Sequence, residues 1–259
     1  MGRSQPRLRP PPPLGADSAL FLDIDGTLLD LAATPDRVRP DPAVVALVRA
    51  LAVKLDGALA LSTGRAIADA DRLFPGLVLP IAGQHGNERR RIDGSLRRHP
   101  PPARGFDRMR REIAQFAAQH PGLLLEDKGC TLALHYRLAP RLAPQVHRAL
   151  RAQVAAVGGA WILQKGNKLL EIRPARRDKG TAIIDFMTEP PFRGRFPVFV
   201  GDDLTDEFGF AAVAKLRGCA IKVGPGHTAA QYRLRDVAAV RQWLAGALAS
   251  PAPSKLPIR

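Results

Sequence analysis

The stretch Ala19-Leu20-Phe21-Leu22-Asp23-Ile24-Asp25-Gly26-Thr27 decides how the rest of the chain is read. Its first four residues are a continuous apolar run, as expected of a strand buried on both faces. The run then gives way at once to two acids and a glycine. In doubly wound sheets, ligands bind beyond the carboxyl ends of the strands, so Asp23 and Asp25 stand where chemistry is expected. Two acids at i and i+2 on extended chain point the same way, but a strand that ends here lets the second swing round on the Gly26 turn. That suits one carboxylate for attack or metal binding and the other for proton transfer. The purely structural reading is a pair of turn-forming aspartates before a glycine.

Working outward, apolar strands alternate with segments of helical spacing. Asp41 to Leu55 reads as a helix, with Asp41 as N-cap and Pro42 at the first helical position. Ala58 to Leu61 reads as a strand, Ala66 to Leu73 as a helix and Val78 to Ile81 as a third strand, and Asp93-Gly94 signals a hairpin turn. From about residue 101 the order becomes helix (Phe106 to Gln119), strands (Leu123 to Leu125, Thr131 to Tyr136), helix (Arg141 to Val157), strands (Ala160 to Leu163, Lys168 to Ile172). Two such units suggest an open-faced sheet with helices on one side, inserted into the first domain. The alternation then resumes: helix Thr181 to Met187, strand Pro197 to Val200, helix Asp206 to Lys215, strand Ala220 to Val223 and helix Val237 to Leu248. The expected fold is therefore α/β, a doubly wound parallel-sheet (Rossmann-like) core over 18–102 and 175–249, with a smaller inserted α+β domain over 103–174. Residues 1–17, with Pro10 to Pro13 in a row, and 250–259 are expected to be disordered tails.

Polar groups follow three more strands or helix starts. Gly201-Asp202-Asp203-Leu204-Thr205-Asp206 places three acids within five residues, which repel one another unless a cation or basic groups neutralise them. Hard oxygen ligands of this kind fit Mg²⁺; alternatively an acid such as Asp206 caps the following helix. Ser62-Thr63-Gly64-Arg65 offers a hydroxyl, a turn and a cation at a helix start. Arg177-Asp178-Lys179-Gly180-Thr181 offers Lys179 as a point charge for phosphate, though not in a Walker loop.

Composition removes several classes. The 259 residues are 46% hydrophobic and 24% charged, so a sizeable core forms and global disorder is excluded. Two cysteines, Cys130 and Cys219, match no zinc spacing and are expected as small core residues in a reducing, cytoplasmic setting. No apolar run approaches a membrane span. The 39 Lys and Arg against 24 Asp and Glu give +15. The arginines are dispersed, and two Tyr and two Trp leave little to stack bases on, so neither nucleic acid nor a membrane is the expected partner.

In chain order, a paired-Asp motif, a Thr, a Lys and an acidic cluster resemble the haloacid dehalogenase superfamily of phosphohydrolases. Val200 to Phe210, together with Ala82-Gly83-Gln84-His85-Gly86-Asn87-Glu88-Arg89, Leu134-His135-Tyr136-Arg137 and Glu171-Ile172-Arg173-Pro174, is similar to the trehalose-6-phosphate phosphatases. The resemblance implies Asp23 as nucleophile and Asp25 as acid and base. It implies Mg²⁺ on the Asp23 carboxylate, the Asp25 carbonyl and Asp202, with Asp203 and Asp206 nearby. Thr63 and Lys179 would hold the phosphoryl oxygens. The insert would be a cap whose Glu126, Lys128, Arg137 and Glu171 grip the distal glucose, with Arg65, His85 and Glu88 on the core side. The implied partner is a small sugar phosphate, and the implied enzyme a monomer. Rival readings are a phosphatase of sucrose phosphate or a mannosyl phosphate, and a non-catalytic binding module of the same fold.

Overall fold

β1 (Ser18–Leu22) is buried along its whole length between two parallel neighbours. In the computed structural model, which describes residues 9–32, 37–39, 41–100, 105–166 and 168–249, the chain divides into two compact units. The first comprises the described residues of Met1–Leu96 and Asp178–Arg259, the second those of Arg97–Arg177. Both crossings lie slightly outside the expected 103–174. Ala175 N donates to Ala160 O at 2.9 Å and Arg173 Nη1 to Arg177 O at 2.7 Å, so residues 175–177 are tied to the second unit.

In the first unit, α1 (Pro42–Lys54) follows β1 and starts as expected: Asp41 Oδ1 accepts from Ala43 N at 3.0 Å and Val44 N at 3.4 Å. β2 (Leu59–Ser62), α2 (Ile67–Asp71), β3 (Ile81–Gly83) and β4 (Glu88–Arg90) complete one half, and β5 (Leu96–Arg98) begins on its last residue. After the second unit come α5 (Lys179–Met187), β10 (Phe196–Gly201), α6 (Asp206–Lys215), β11 (Cys219–Val223), β12 (Tyr232–Leu234) and α7 (Val237–Ala249). The strand order β12-β11-β10-β1-β2-β3-β4-β5 is parallel from β12 to β3 and turns antiparallel at β4. Strand order reverses at β1, whose carboxyl end is therefore the crevice where such sheets bind ligands. Phe21 stacks on Phe192 at 5.4 Å inside the core.

Three expectations change. The strand placed at Val78 to Ile81 begins only at Ile81; Pro80 has no N–H to give β2, and Val78 is 76% exposed. β12 was not anticipated, being three half-buried residues with an arginine at its centre. Residues 9–17, expected as part of a disordered tail, are docked instead. Leu14 is in the core, Arg233 N donates to Arg9 O at 3.0 Å, and Trp243 Nε1 donates to Pro12 O at 2.9 Å. Prolines lack donors, but their carbonyls still accept. The remaining tail residues, 1–8 and 250–259, lie outside the described residues.

The second unit runs α3 (Phe106–Ala118), β6 (Leu124–Asp127), β7 (Leu132–His135), α4 (Ala143–Val157), β8 (Trp161–Gly166) and β9 (Leu169–Pro174). Its antiparallel sheet has the order β6-β7-β9-β8. Met109 and Ile113 of α3 and Val146 and Leu150 of α4 pack with Leu132, Leu134, Leu170 and Ile172, which occupy alternate positions on β7 and β9. Both helices thus cover one face. The intervening positions put Glu126, Ala133, Glu171 and Gln164 in one row across the other.

Glu189 closes the first unit's far edge. It accepts from Arg89 at 2.8 and 3.2 Å and from Arg91 at 2.5 and 2.8 Å. The Arg91 hydrogen bond, then Arg89, pulls its carboxyl down to about 2. The folded value lies below the unfolded value of about 4.3, so this stabilisation is complete above the unfolded value and is lost as pH falls through about 2. Glu189→Gln should flatten the dependence of melting temperature on pH across that window; an unchanged acid limb would place the effect elsewhere.

Candidate active site

Asp23 extends β1 by one more parallel bond, its N donating to Val200 O at 3.0 Å. The chain then turns sharply: Leu28 N and Leu29 N both donate to Ile24 O at 2.9 Å. Gly26 makes the turn possible. Its φ is +83°, and a Cβ there would lie 2.2 Å from Asp202 Oδ2. The turn separates the two aspartates. Asp23 is 4% exposed and faces Lys179, whereas Asp25 accepts a two-pronged bond from Arg65, Nε to Oδ2 and Nη2 to Oδ1, both 2.6 Å.

Lys179 is the first residue of α5, set by a capping box in which Asp178 Oδ1 accepts from Thr181 N at 2.7 Å and Asp178 N donates to Thr181 Oγ1 at 3.0 Å. The lysine is 2% exposed, and its Nζ donates to Asp23 Oδ1 at 2.8 Å and Asp206 Oδ1 at 2.6 Å. The other Asp206 oxygen accepts from Asp202 N at 2.8 Å and Asp203 N at 2.9 Å. The capping role considered for Asp206 is not its own: the N-cap position of α6 is Thr205, whose side chain makes no cap bond, while Asp203 Oδ1 accepts from Thr205 N at 2.7 Å, Thr205 Oγ1 at 2.6 Å and Asp206 N at 3.3 Å. Asp206 is one residue too far along, already inside the helix.

The electrostatics follow from crowding in a dry site. Burial pushes Asp23 up to about 7 against the pull of Lys179. Burial, with Asp206 and Asp203, does the same for Asp202. For Asp203 burial works upward too, but Lys179 and the Thr205 hydrogen bond hold it below its usual value. Lys179 is kept charged by Asp206, Asp23 and Asp203 despite its burial. The four acids Asp23, Asp202, Asp203 and Asp206 face two lysines, Lys179 and Lys222. Oxygen atoms of Asp23, Asp202 and Asp206 lie within 4.8 Å of one another, and these residues can hold a metal ion. The all-oxygen donor set, and the crowding that lifts Asp23, Asp202 and Asp206 above their usual values, fit a hard divalent cation. Of the expected metal group, the structure brings together the carboxylates of Asp23 and Asp202 with that of Asp206, which was expected only nearby. The Asp203 side chain is engaged by Thr205 and that of Asp25 by Arg65, whereas the part expected of Asp25 is its main-chain carbonyl.

Thr63 follows β2, and its Oγ1 accepts from Arg65 N at 3.1 Å. The turn Gln84–Asn87 packs beside it: His85 N donates to Thr63 O at 3.0 Å and Gln84 N to Arg65 O at 2.8 Å. Gln84 and His85 both have positive φ, 47° and 55°, a conformation that non-glycine residues adopt at a cost. His85 lies against Gly64, where a Cβ would approach its Cε1 to 2.7 Å. Glu88 is placed differently from the other core-side residues. Its Oε2 accepts from Ile67 N at 3.0 Å and so tethers the start of α2.

Within the second unit, the strand face opposite the helices is polar. Glu126 Oε2 is 2.9 Å from His135 Nε2; Glu171 Oε1 accepts from Thr131 Oγ1 at 2.7 Å and from Lys128 Nζ at 3.3 Å. Burial works to raise Glu126, but the His135 hydrogen bond and Lys128 outweigh it and hold it ionised. Arg137 is exposed in the turn after β7, off the strand row. Sequence reasoning missed Thr131, Gln164 and Lys222. Only Lys222 carried a signal, as a charge inside the apolar run Cys219-Ala220-Ile221-Lys222-Val223.

Among the described residues, no helix is long and apolar enough to cross a membrane. The sequence matches the trehalose-phosphatase family over residues 21–238. It is 46% identical over 207 residues to a probable trehalose-phosphate phosphatase of Sinorhizobium fredii, covering 80% of this chain and 78% of that one. It is 42% identical over 234 residues to the trehalose-6-phosphate phosphatase of Escherichia coli, covering 90% and 87%. A solved trehalose-6-phosphate phosphatase related protein superposes with a TM-score of 0.74 at 25% identity, over 89% of this chain and 96% of that one. The fold is shared with a solved phosphatase of the haloalkanoate (HAD) superfamily from Bacteroides thetaiotaomicron, with a TM-score of 0.61 at 17% identity over 87% of this chain and 92% of that one. The chain belongs to the trehalose-phosphatase family, phosphoric monoester hydrolases.

Proposed function

We propose that this chain is a Mg²⁺-dependent, cytoplasmic and monomeric phosphatase that hydrolyses trehalose 6-phosphate to trehalose and phosphate. The observation that carries the reaction type is the buried Lys179 ammonium bridging Asp23 and Asp206, 2.8 and 2.6 Å away. It keeps an attacking carboxylate and a cation-binding carboxylate in fixed relation. An Asp23 oxygen attacks phosphorus as the bond to the sugar oxygen breaks, and Asp25 gives that oxygen its proton. Water then attacks the aspartyl-phosphate, passing its proton to Asp25 and releasing phosphate. Thr63 and Lys179 hold the phosphoryl oxygens as charge develops. Arg65 grips the Asp25 carboxylate, and that grip must loosen for Asp25 to carry the leaving group's proton. Mg²⁺ held by Asp23, Asp202 and Asp206 would screen the repulsion between nucleophile and phosphate.

The specificity reading rests on the polar face of the second unit and on Arg137 in the turn after β7. Glu126, Lys128, Glu171 and Arg137 never touch phosphorus in this reading; they bind the sugar that does not react, and His85 and Glu88 belong to the core side. Hydroxyls both donate and accept, which suits carboxylates beside cations. The test is phosphate release from trehalose 6-phosphate, sucrose 6-phosphate, a mannosyl phosphate and p-nitrophenyl phosphate, with Mg²⁺ and in chelator. Glu126→Ala and Glu171→Ala should lose about ten- to a hundred-fold in kcat/KM on trehalose 6-phosphate, and little on the aryl ester. Preference for another disaccharide would reassign the substrate, and full activity in chelator would remove the metal.

A further inference from the structure

β11 is buried at all five positions, yet its fourth residue is a lysine. Lys222 is 5% exposed, so its ammonium must be satisfied inside the protein. The Nζ donates to two main-chain carbonyls, that of Asp202 and, at 2.8 Å, that of Val223. The register explains the reach: Lys222 lies opposite Gly201, the last residue of β10, and Asp202 is the next residue along. Asp202 is therefore held from both ends of its backbone. Its N donates to Asp206 Oδ2 at 2.8 Å and its O accepts from Lys222. Its carboxylate in turn lies against the Gly26 turn.

We propose that Lys222 is a positioning residue of the cation site: by holding the Asp202 carbonyl, it fixes the Asp202 carboxylate beside Asp23 and Asp206. The inference rests on the metal-dependent reading above. The alternative role is that of a plain counter-charge among the acids, and the two roles predict opposite signs. Removing a positive charge alone leaves the carboxylates less compensated and makes a cation bind more tightly. Removing the group that orients a ligand weakens cation binding, typically about 10–100-fold for outer partners of metal ligands.

The experiment is calorimetric titration of Mg²⁺, and of Mn²⁺ as a second probe, into the metal-stripped full-length chain. Lys222→Met should stay folded by circular dichroism and bind about tenfold or more weakly. Lys222→Arg, which returns a donor and a charge, should recover most of the loss. Wild-type binding with Lys222→Met binding equally or more tightly overturns the inference alone; a wild type that binds neither ion overturns the metal-dependent reading as well. Should Lys222→Met not fold, the wild type decides by NMR. The Lys222 ε-methylene signal should move with the same midpoint as the Asp202 amide during the titration, and a silent lysine overturns the inference.

Discussion

Asp23→Asn should give a folded protein with turnover reduced by at least about a thousandfold. The amide keeps the carboxylate's shape but has no charge with which to attack phosphorus. The fold should not suffer. Burial already works against the ionised Asp23, lifting it to about 7, so a neutral group there removes a cost rather than adding one. The lysine that loses half its partnership still has Asp206 at 2.6 Å. Phosphate release and thermal melting, measured together, separate the two effects. A variant within tenfold of wild type would remove Asp23 from the covalent step.

The second large effect belongs to Lys179→Met. Here the charge removed is the one that keeps two buried carboxylates compatible. Deleting one partner of a buried ion pair typically costs about 3–5 kcal/mol of stability, and losing a fixed cation at the reacting phosphate about 10²–10³ in kcat. Both should fall together, unlike in Asp23→Asn. Added Mg²⁺ should return part of the stability, because a ligand that binds only the folded state stabilises it. A melting temperature unchanged by the substitution would show that Lys179 is not the neutralising charge at Asp23 and Asp206.

Much of this was legible in the sequence because a parallel sheet buries its strands on both faces. β1, β2, β10 and β11 therefore stand out as apolar runs, and the polar residue that follows each of the first three is at once a site candidate: Asp23, Thr63, Asp202. Asp41-Pro42 marked the start of α1 because capping chemistry is local. What was missed depended on partners distant in sequence. Thr131 pairs with Glu171 across the second sheet, and the carbonyl of Pro12 meets the indole of Trp243. Composition cannot reveal either. The separate roles of Asp203 and Asp206 were not legible because the two are chemically identical choices, and only the path of the chain into α6 decides which amides each accepts from. The purpose of Lys222 was hidden for a related reason, since its acceptors are carbonyls, which every residue carries.

The neighbours of β1 have a consequence for how the molecule is made. One flanking strand, β2, is synthesised soon after it, but the other, β10, pairs Phe196 with Ser18, roughly 180 residues later. As the chain leaves the ribosome, the strand that bears Asp23 therefore waits with one edge unmet while the whole second unit emerges. That unit needs no such wait: its helices and strands find their partners within the stretch Arg97–Arg177. It can fold first, as a local body held between two unfinished halves. The first sheet closes only when β10 arrives, and the same event brings Asp202 and Asp206 to Asp23. Half-made chains thus expose an apolar edge but no assembled cluster of Asp23, Asp202 and Asp206, which comes only with closure of the sheet.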